Sequence, residues 1–164
     1  MRPQLPSGLA AALLLAIVLP PAAAAQSPQE RLWEASIAGD TAALRQAAAE
    51  GADVNSLDTR RSRNGRRALN WAALNDRVPA LEVLLQLGAD LEGENLTGFT
   101  ALHHAAEAGS LTAAEFLLAA GADPVHINTA GRTPRQTADA QGFGAVSALL
   151  ARAEQGDLPP KRQP

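Results

Sequence analysis

A period of 33 residues constrains this chain more than any other feature of it. Gly65, Gly98 and Gly131 are spaced by that interval, as are Leu84, Leu117 and Leu150, and Ala72, Ala105 and Ala138. Such a register describes one small unit used several times over. Its clearest copy runs from residue 97 to residue 123. Thr100 is an N-cap type residue ahead of a short helix carrying Leu102, Ala105 and Ala106, which Gly109 ends. A second helix follows, with Leu111, Ala114, Phe116, Leu117 and Leu118 on one broad apolar face and Gly121 at its close. A helix pair of this kind exposes apolar surface on two sides, so it has to stack on copies of itself.

Thr100-Ala101-Leu102-His103 and Gly121-Ala122-Asp123 resemble the Thr-Pro-Leu-His and Gly-Ala-Asp signatures of the ankyrin repeat, whose period is also 33. Thr133-Pro134 has the proline that Ala101 lacks, and the turn returns as Gly51-Ala52-Asp53-Val54-Asn55 and Gly88-Ala89-Asp90. The resemblance covers about residues 32–152. It implies an all-α repeat fold, a solenoid of about four helix-turn-helix units joined by β-hairpin or loop fingers. The repeats are expected at about 29–55, 64–92, 97–125 and 128–152, within a repeat domain spanning 26–153. The resemblance also implies a non-enzymatic module that binds another protein through its concave face and fingers.

The end repeats are expected to be polar on their outer sides, as caps facing water must be. Gln29, Glu30, Glu34, Arg45 and Glu50 fit the amino-terminal cap, with helices over 29–37 and 41–49. Arg135, Gln136, Asp139, Gln141 and Arg152 fit the carboxyl-terminal one. The second repeat should place helices near 68–74 and 79–87, with Pro79 in a first turn. It departs from the family at Arg67 and Asn70, which stand for the capping threonine and the histidine, so the ties those residues make between units are open there. Alanines 72, 73, 105, 106 and 138 should let the inner helices approach closely. Leu81, Val83, Leu84, Phe116, Leu117 and Leu149 should fill the space to the outer ones. Two Trp, three Phe and no Tyr are enough for such a thin stack.

At the amino terminus, Arg2, the apolar run from Leu9 to Leu19, Pro20-Pro21 and the alanines at 22–25 have the order of a secretory signal, with cleavage expected before Gln26. The run is too short to span a bilayer. No cysteine follows that would carry a lipid, and a single arginine argues against twin-arginine export. A periplasmic or secreted protein is expected, with no transmembrane segment left after cleavage. Of the 164 residues, 139 would then remain, with 13 basic and 17 acidic side chains and a balance of −4. That size suits one domain, and the acidity gives no support to nucleic-acid binding. No thiolate metal site or disulfide can form without cysteine. A monomer is expected, and the polar end at 154–164 reads as a disordered tail.

The first finger is longer than the others. From Gly51 to Arg67 is 16 positions, against 12 from Gly88 to Thr100 and 12 from Gly121 to Thr133. The lengthened part carries Arg60, Arg61, Arg63, Arg66 and Arg67, which would suit a carboxylate or phosphate partner, including an anionic envelope component. The plain alternative is a solvated loop kept apart by like charge. By the family's pattern the outward positions of the inner helices are Glu34, Ile37, Trp71, Leu74, Asn75, His104, Glu107, Ala108 and Gln141. Trp71 beside Leu74 reads as an exposed anchor for a partner, or as a side chain packed over the first repeat. His103, His104 and Glu107 form a weak metal pattern, since adjacent helical residues do not share a face. No phosphate loop, no Gly-x-Ser-x-Gly elbow and no cysteine nucleophile occurs, so neither a cofactor nor a catalytic residue is expected, and a hydrolase or metal-handling protein is the lesser alternative.

Overall fold

A computed structural model describes residues 26–61 and 63–157. The expected signal at 1–25 and the residues from 158 onward lie outside them. The fold begins at a capping box: Ser27 Oγ accepts from Glu30 N at 3.2 Å, while Ser27 N donates to the Glu30 carboxylate at 2.9 Å. Eight helices follow: α1 Pro28–Ala38, α2 Thr41–Ala49, α3 Ala68–Leu74, α4 Val78–Gln86, α5 Ala101–Ala108, α6 Leu111–Ala120, α7 Pro134–Gln141 and α8 Gly144–Glu154. Proline stands in the first turn of α1, α4 and α7, where its missing N–H costs nothing.

Odd-numbered helices pack on one another in order as an inner layer, and even-numbered helices as an outer one. Ala72, Ala73, Ala105, Ala106 and Ala138 are fully buried between inner helices. Leu81, Leu84 and Leu117 fill the space behind them with no exposure. Two expected core residues are only half-buried, Phe116 and Leu149. In α8 the buried stripe is Val146, Leu150 and Ala153, with Leu149 at its margin, and the helix runs two residues past the expected end. Glu154 is accordingly the last residue of a helix, ion-paired to Arg135 at 3.0 Å, and not the start of a tail.

Each helix pair turns on a left-handed residue. Gly39, Gly109 and Gly142 fill that place in three repeats, but in the second it is Asp76, at φ 54°. A non-glycine residue there is strained. The carboxylate of Asp76 offsets this by reaching the next repeat, where it accepts from Ala113 N at 2.8 Å and Thr112 Oγ1 at 2.5 Å, capping α6.

The fingers hold no strand among the described residues. Each is closed by one residue pair: Asp58 with Arg66, through bonds of 2.7 and 3.2 Å, Asn95 with Phe99 at 3.0 Å, and Asn128 with Arg132 at 3.0 Å. Beyond the pair the chain enters the next helix at once, so no ladder extends and the expected hairpin shrinks to a turn. The pairs also locate the insertion. Four positions separate the partners in fingers 2 and 3 but eight in finger 1, so the extra residues all lie at its tip.

Candidate functional site

Asp58, Asn95 and Asn128 are buried polar residues in one register, and each organises its own finger. Asn95 Oδ1 accepts from Thr97 N and Phe99 N, both at 2.9 Å, and Asn128 Oδ1 from Ala130 N at 2.9 Å and Arg132 N at 3.1 Å. Asp58 does the same for Arg60 N at 3.1 Å and adds an ion pair with Arg60 Nε at 2.9 Å.

The tip of finger 1 folds back on the amino-terminal cap. Arg60 also meets Glu30 at 3.2 Å and Glu34 at 3.6 Å, and its guanidinium stacks on the Trp33 ring, 4.7 Å from the centroid. The bond to Asp58 raises the Arg60 pKa further, so it stays charged at any working pH. Arg61 makes a two-bond contact to the Glu34 carboxylate at 2.8 Å from each oxygen. Arg66 stacks on Trp71 at 4.7 Å and pairs with Glu107 at 3.7 Å. Arg67 bonds to the Asn55 carbonyl and, at 3.0 Å, to the Glu94 carbonyl, tying fingers 1 and 2 together. Arg63 alone of the five makes no ion pair, stacked ring or side-chain hydrogen bond among the described residues, and it is exposed. A loop held apart by its own charge is therefore not what forms, since carboxylates of α1 and α5 meet the arginines from within the chain.

The inner helices differ from expectation at two positions. Trp71 is 8% exposed, covered by Arg66, and is a packed residue instead of a projecting anchor. His104 is buried too, because finger 2 lies over it: its Nδ1 faces Glu107 at 3.0 Å and its Nε2 faces Asn95 Nδ2 at 3.5 Å. Burial lowers the His104 pKa and the bond from the imidazole lowers that of Glu107, so a neutral ring donates to an ionised carboxylate. Leu74, Asn75, Glu107, Ile37 and Ala108 keep partial exposure along the inner-helix face, and Gln141 is exposed.

His103 points away from His104, as the spacing predicts. Its Nδ1 faces Thr100 Oγ1 at 3.0 Å and its Nε2 donates to the Arg132 carbonyl at 3.0 Å, joining α5 to finger 3. Burial pushes its pKa down to about 4. The two rings and Glu107 thus do not converge on one point, and no group of metal-ligating side chains gathers among the described residues. Asn70 stands in the same register in α3. It accepts from Arg67 N at 2.7 Å and approaches the Gly93 carbonyl at 3.5 Å, so the tie left open at this repeat is made by Asn70 and Arg67 together.

Sequence reasoning missed the apolar fingertips. Leu96, Val125 and Ile127 are 59%, 52% and 62% exposed. The available signal was a change of type within the register, since Thr129 is the counterpart of Leu96, Glu92 of Val125 and Glu94 of Ile127.

A family model for ankyrin repeats in three copies matches residues 32–130. The chain is similar to the ankyrin repeat domain-containing protein SAT10 of Stachybotrys chartarum, 34% identical over 105 residues, which are 64% of this chain and 5% of the relative. It is similar to the tyrosine-protein kinase Shark of Drosophila melanogaster, 30% identical over 126 residues, 76% of this chain and 13% of the relative. A third relative is protein phosphatase 1 regulatory subunit 27 of Mus musculus, 34% identical over 84 residues, 51% of this chain and 54% of that one. The chain thus spans between a twentieth and about half of these relatives' own lengths.

Proposed function

This chain belongs to the ankyrin repeat family, and we propose from that premise that it acts as an exported adaptor, binding a partner protein along the exposed side of its inner helices and its finger row. The ankyrin stack is a protein–protein interaction module, a family in general without catalysis. Shark's kinase name is that protein's own, and the chain matches 13% of it. Within this reading, the observation that carries the binding face is the clamp of finger 1. Arg60 and Arg61 are tied to Glu30, Glu34 and Asp58, so the finger stands in one pose at the amino-terminal end of α3, whose other end carries the partly exposed Leu74 and Asn75. A surface ordered before binding loses little entropy when a partner arrives. Arg63 is the cation left to meet a carboxylate of the partner. A landing site for an anionic envelope component has less support, because four of the five arginines are already engaged.

Export is supported by the order of Arg2, the apolar run at 9–19 and the alanines at 22–25. Cleavage before Gln26 keeps the start of α1 whole, with the Gln26 carbonyl accepting from Arg31 at 2.7 Å and Ser27 capping the helix. Intact-mass measurement on the protein recovered from the cell envelope or medium should give a species starting at Gln26, and a chain retaining Met1 in the cytoplasm contradicts it. A photo-crosslinking residue at Leu74 should capture a partner where the same residue at Glu115, exposed on the outer helix α6, does not. Equal capture from both positions would remove the inner-helix face as the site.

A further inference from the structure

Fingers 2 and 3 differ from finger 1 in both apolarity and charge. Singly exposed apolar side chains are ordinary on a protein surface. Here three of the four large exposed ones among the described residues sit on two adjoining tips. Contacts between the fingers bracket them: His126 Nε2 bonds to Glu94 Oε1 at 2.8 Å, and Thr129 N bonds to the Thr97 carbonyl at 3.2 Å. Leu96 lies between 94 and 97, and Ile127 between 126 and 129, so both belong to the stretch over which the two fingers are tied. The tips are rigid. Asn95 and Asn128 fix their turns, and Gly98, at φ 72°, leaves no room for a side chain, because a Cβ there would stand 2.9 Å from Thr129 N.

Acidic residues stand around these apolar tips without lysine or arginine partners among the described residues. Asp90, Glu94 and Asp123 are exposed and Glu92 partly so. Their contacts are backbone amides and His126: Asp90 accepts from Glu92 N, Asp123 from Val125 N, and Glu92 from Asp123 N. No lysine or arginine side chain pairs with any of the four among the described residues. In finger 1, by contrast, carboxylates of the same chain meet Arg60, Arg61 and Arg66.

We propose that the tips of fingers 2 and 3 dock a partner polypeptide segment that is apolar at its centre and carries lysine or arginine on its flanks. The proposal rests on the interaction-module reading and names the partner chemistry that this part of the module selects. Leu96, Val125 and Ile127 supply apolar area already held in place, so covering it orders little on this side. Asp90, Glu92, Glu94 and Asp123 set orientation and speed encounter, while a segment with acidic flanks is repelled.

The test uses fluorescein-labelled synthetic peptides and the protein in anisotropy titrations. One peptide alternates leucine with lysine, a second replaces each lysine by glutamate, and a third replaces each leucine by serine. The leucine–lysine peptide should bind about tenfold more tightly than either control. Leu96→Ser combined with Ile127→Ser should weaken it about tenfold, and Glu92→Gln with Glu94→Gln about threefold, more so at low salt. Glu82→Gln with Glu115→Gln, the same charge change on outer helices, should leave it unmoved. Equal binding of the leucine–glutamate peptide, or full binding by the Leu96→Ser, Ile127→Ser protein, overturns the proposal. A photo-crosslinking residue at Ile127 separates the two readings in the native envelope fraction. Capture at Leu74 but not at Ile127 overturns the fingertip site alone, whereas capture at neither overturns the module reading as well.

Discussion

Finger 1 and finger 3 occupy equivalent places in the stack, each anchored to the inner helix of the repeat before it, yet different forces hold them. Trp33, Asn70 and His103 stand in one register and mark the three joints. At the first joint Arg60 lies on Trp33 and reaches Glu30, Glu34 and Asp58. At the third a neutral histidine donates one bond to the Arg132 carbonyl. The charged joint consumes its own side chains and leaves a polar, satisfied surface. The neutral joint needs no side chain from the fingertip, which leaves Val125 and Ile127 free to project. A run of arginine is therefore no guide to where a partner binds until its carboxylates have been found.

The comparison can be broken most forcefully beneath finger 1. Trp71→Ala removes a packed ring and the surface on which Arg66 rests, and should cost about 3–5 kcal/mol in urea unfolding. A loss within about 0.5 kcal/mol would return Trp71 to the surface and restore the exposed anchor.

Acid should act first through the third joint, whereas at the first joint Glu30, held below its usual value by Ser27 and Arg60, weakens its contacts only as the pH falls below the ordinary 4.5. His103 has its folded pKa depressed from 6.5 to about 4, so the unfolded chain takes up a proton that the folded chain refuses across that window. Stability is full above 6.5 and falls as pH drops toward 4, by on the order of 2 kcal/mol at about pH 4.5. His104 is depressed by burial as well and adds in the same sense. Unfolding midpoints measured across this range should fall less steeply in His103→Gln, and an unchanged slope would show that the joint does not titrate as described.

The repeat period, the helix positions and the alanine seam were all legible in the residues, because each depends on neighbours within one unit or one register step. Most of the candidate site was not. Arg60 is 30 positions from Glu30 and 26 from Glu34, and nothing local announces that the three meet. Trp71 and His104 lie at positions that face outward in the family pattern, and they are buried here by Arg66 and by finger 2, contacts that no local spacing announces. The shared register of Asp58, Asn95 and Asn128 was hidden by the same four residues, which shift the numbering just where the comparison had to be made.

Salt sharpens the contrast more gently. At about 1 M salt, where screening acts beyond about 3 Å, the pairs of Arg60 and Arg61 with Glu30 and Glu34 should weaken, while the neutral His103 joint does not change. Arg60→Ser and wild type should accordingly draw closer in stability as salt rises. A constant gap would locate the contribution of Arg60 in packing alone.

The central claim, that the finger 1 arginines are internal clamps, is tested most directly by Arg60→Ser and Arg63→Ser measured side by side in urea unfolding. Arg60→Ser should cost about 1–2 kcal/mol, because it leaves the buried Asp58 carboxylate short of its charged donor. Arg63→Ser should change stability by no more than about 0.5 kcal/mol. If the two variants unfold at the same denaturant concentration as wild type, the clamp does not exist and the finger is a solvated loop.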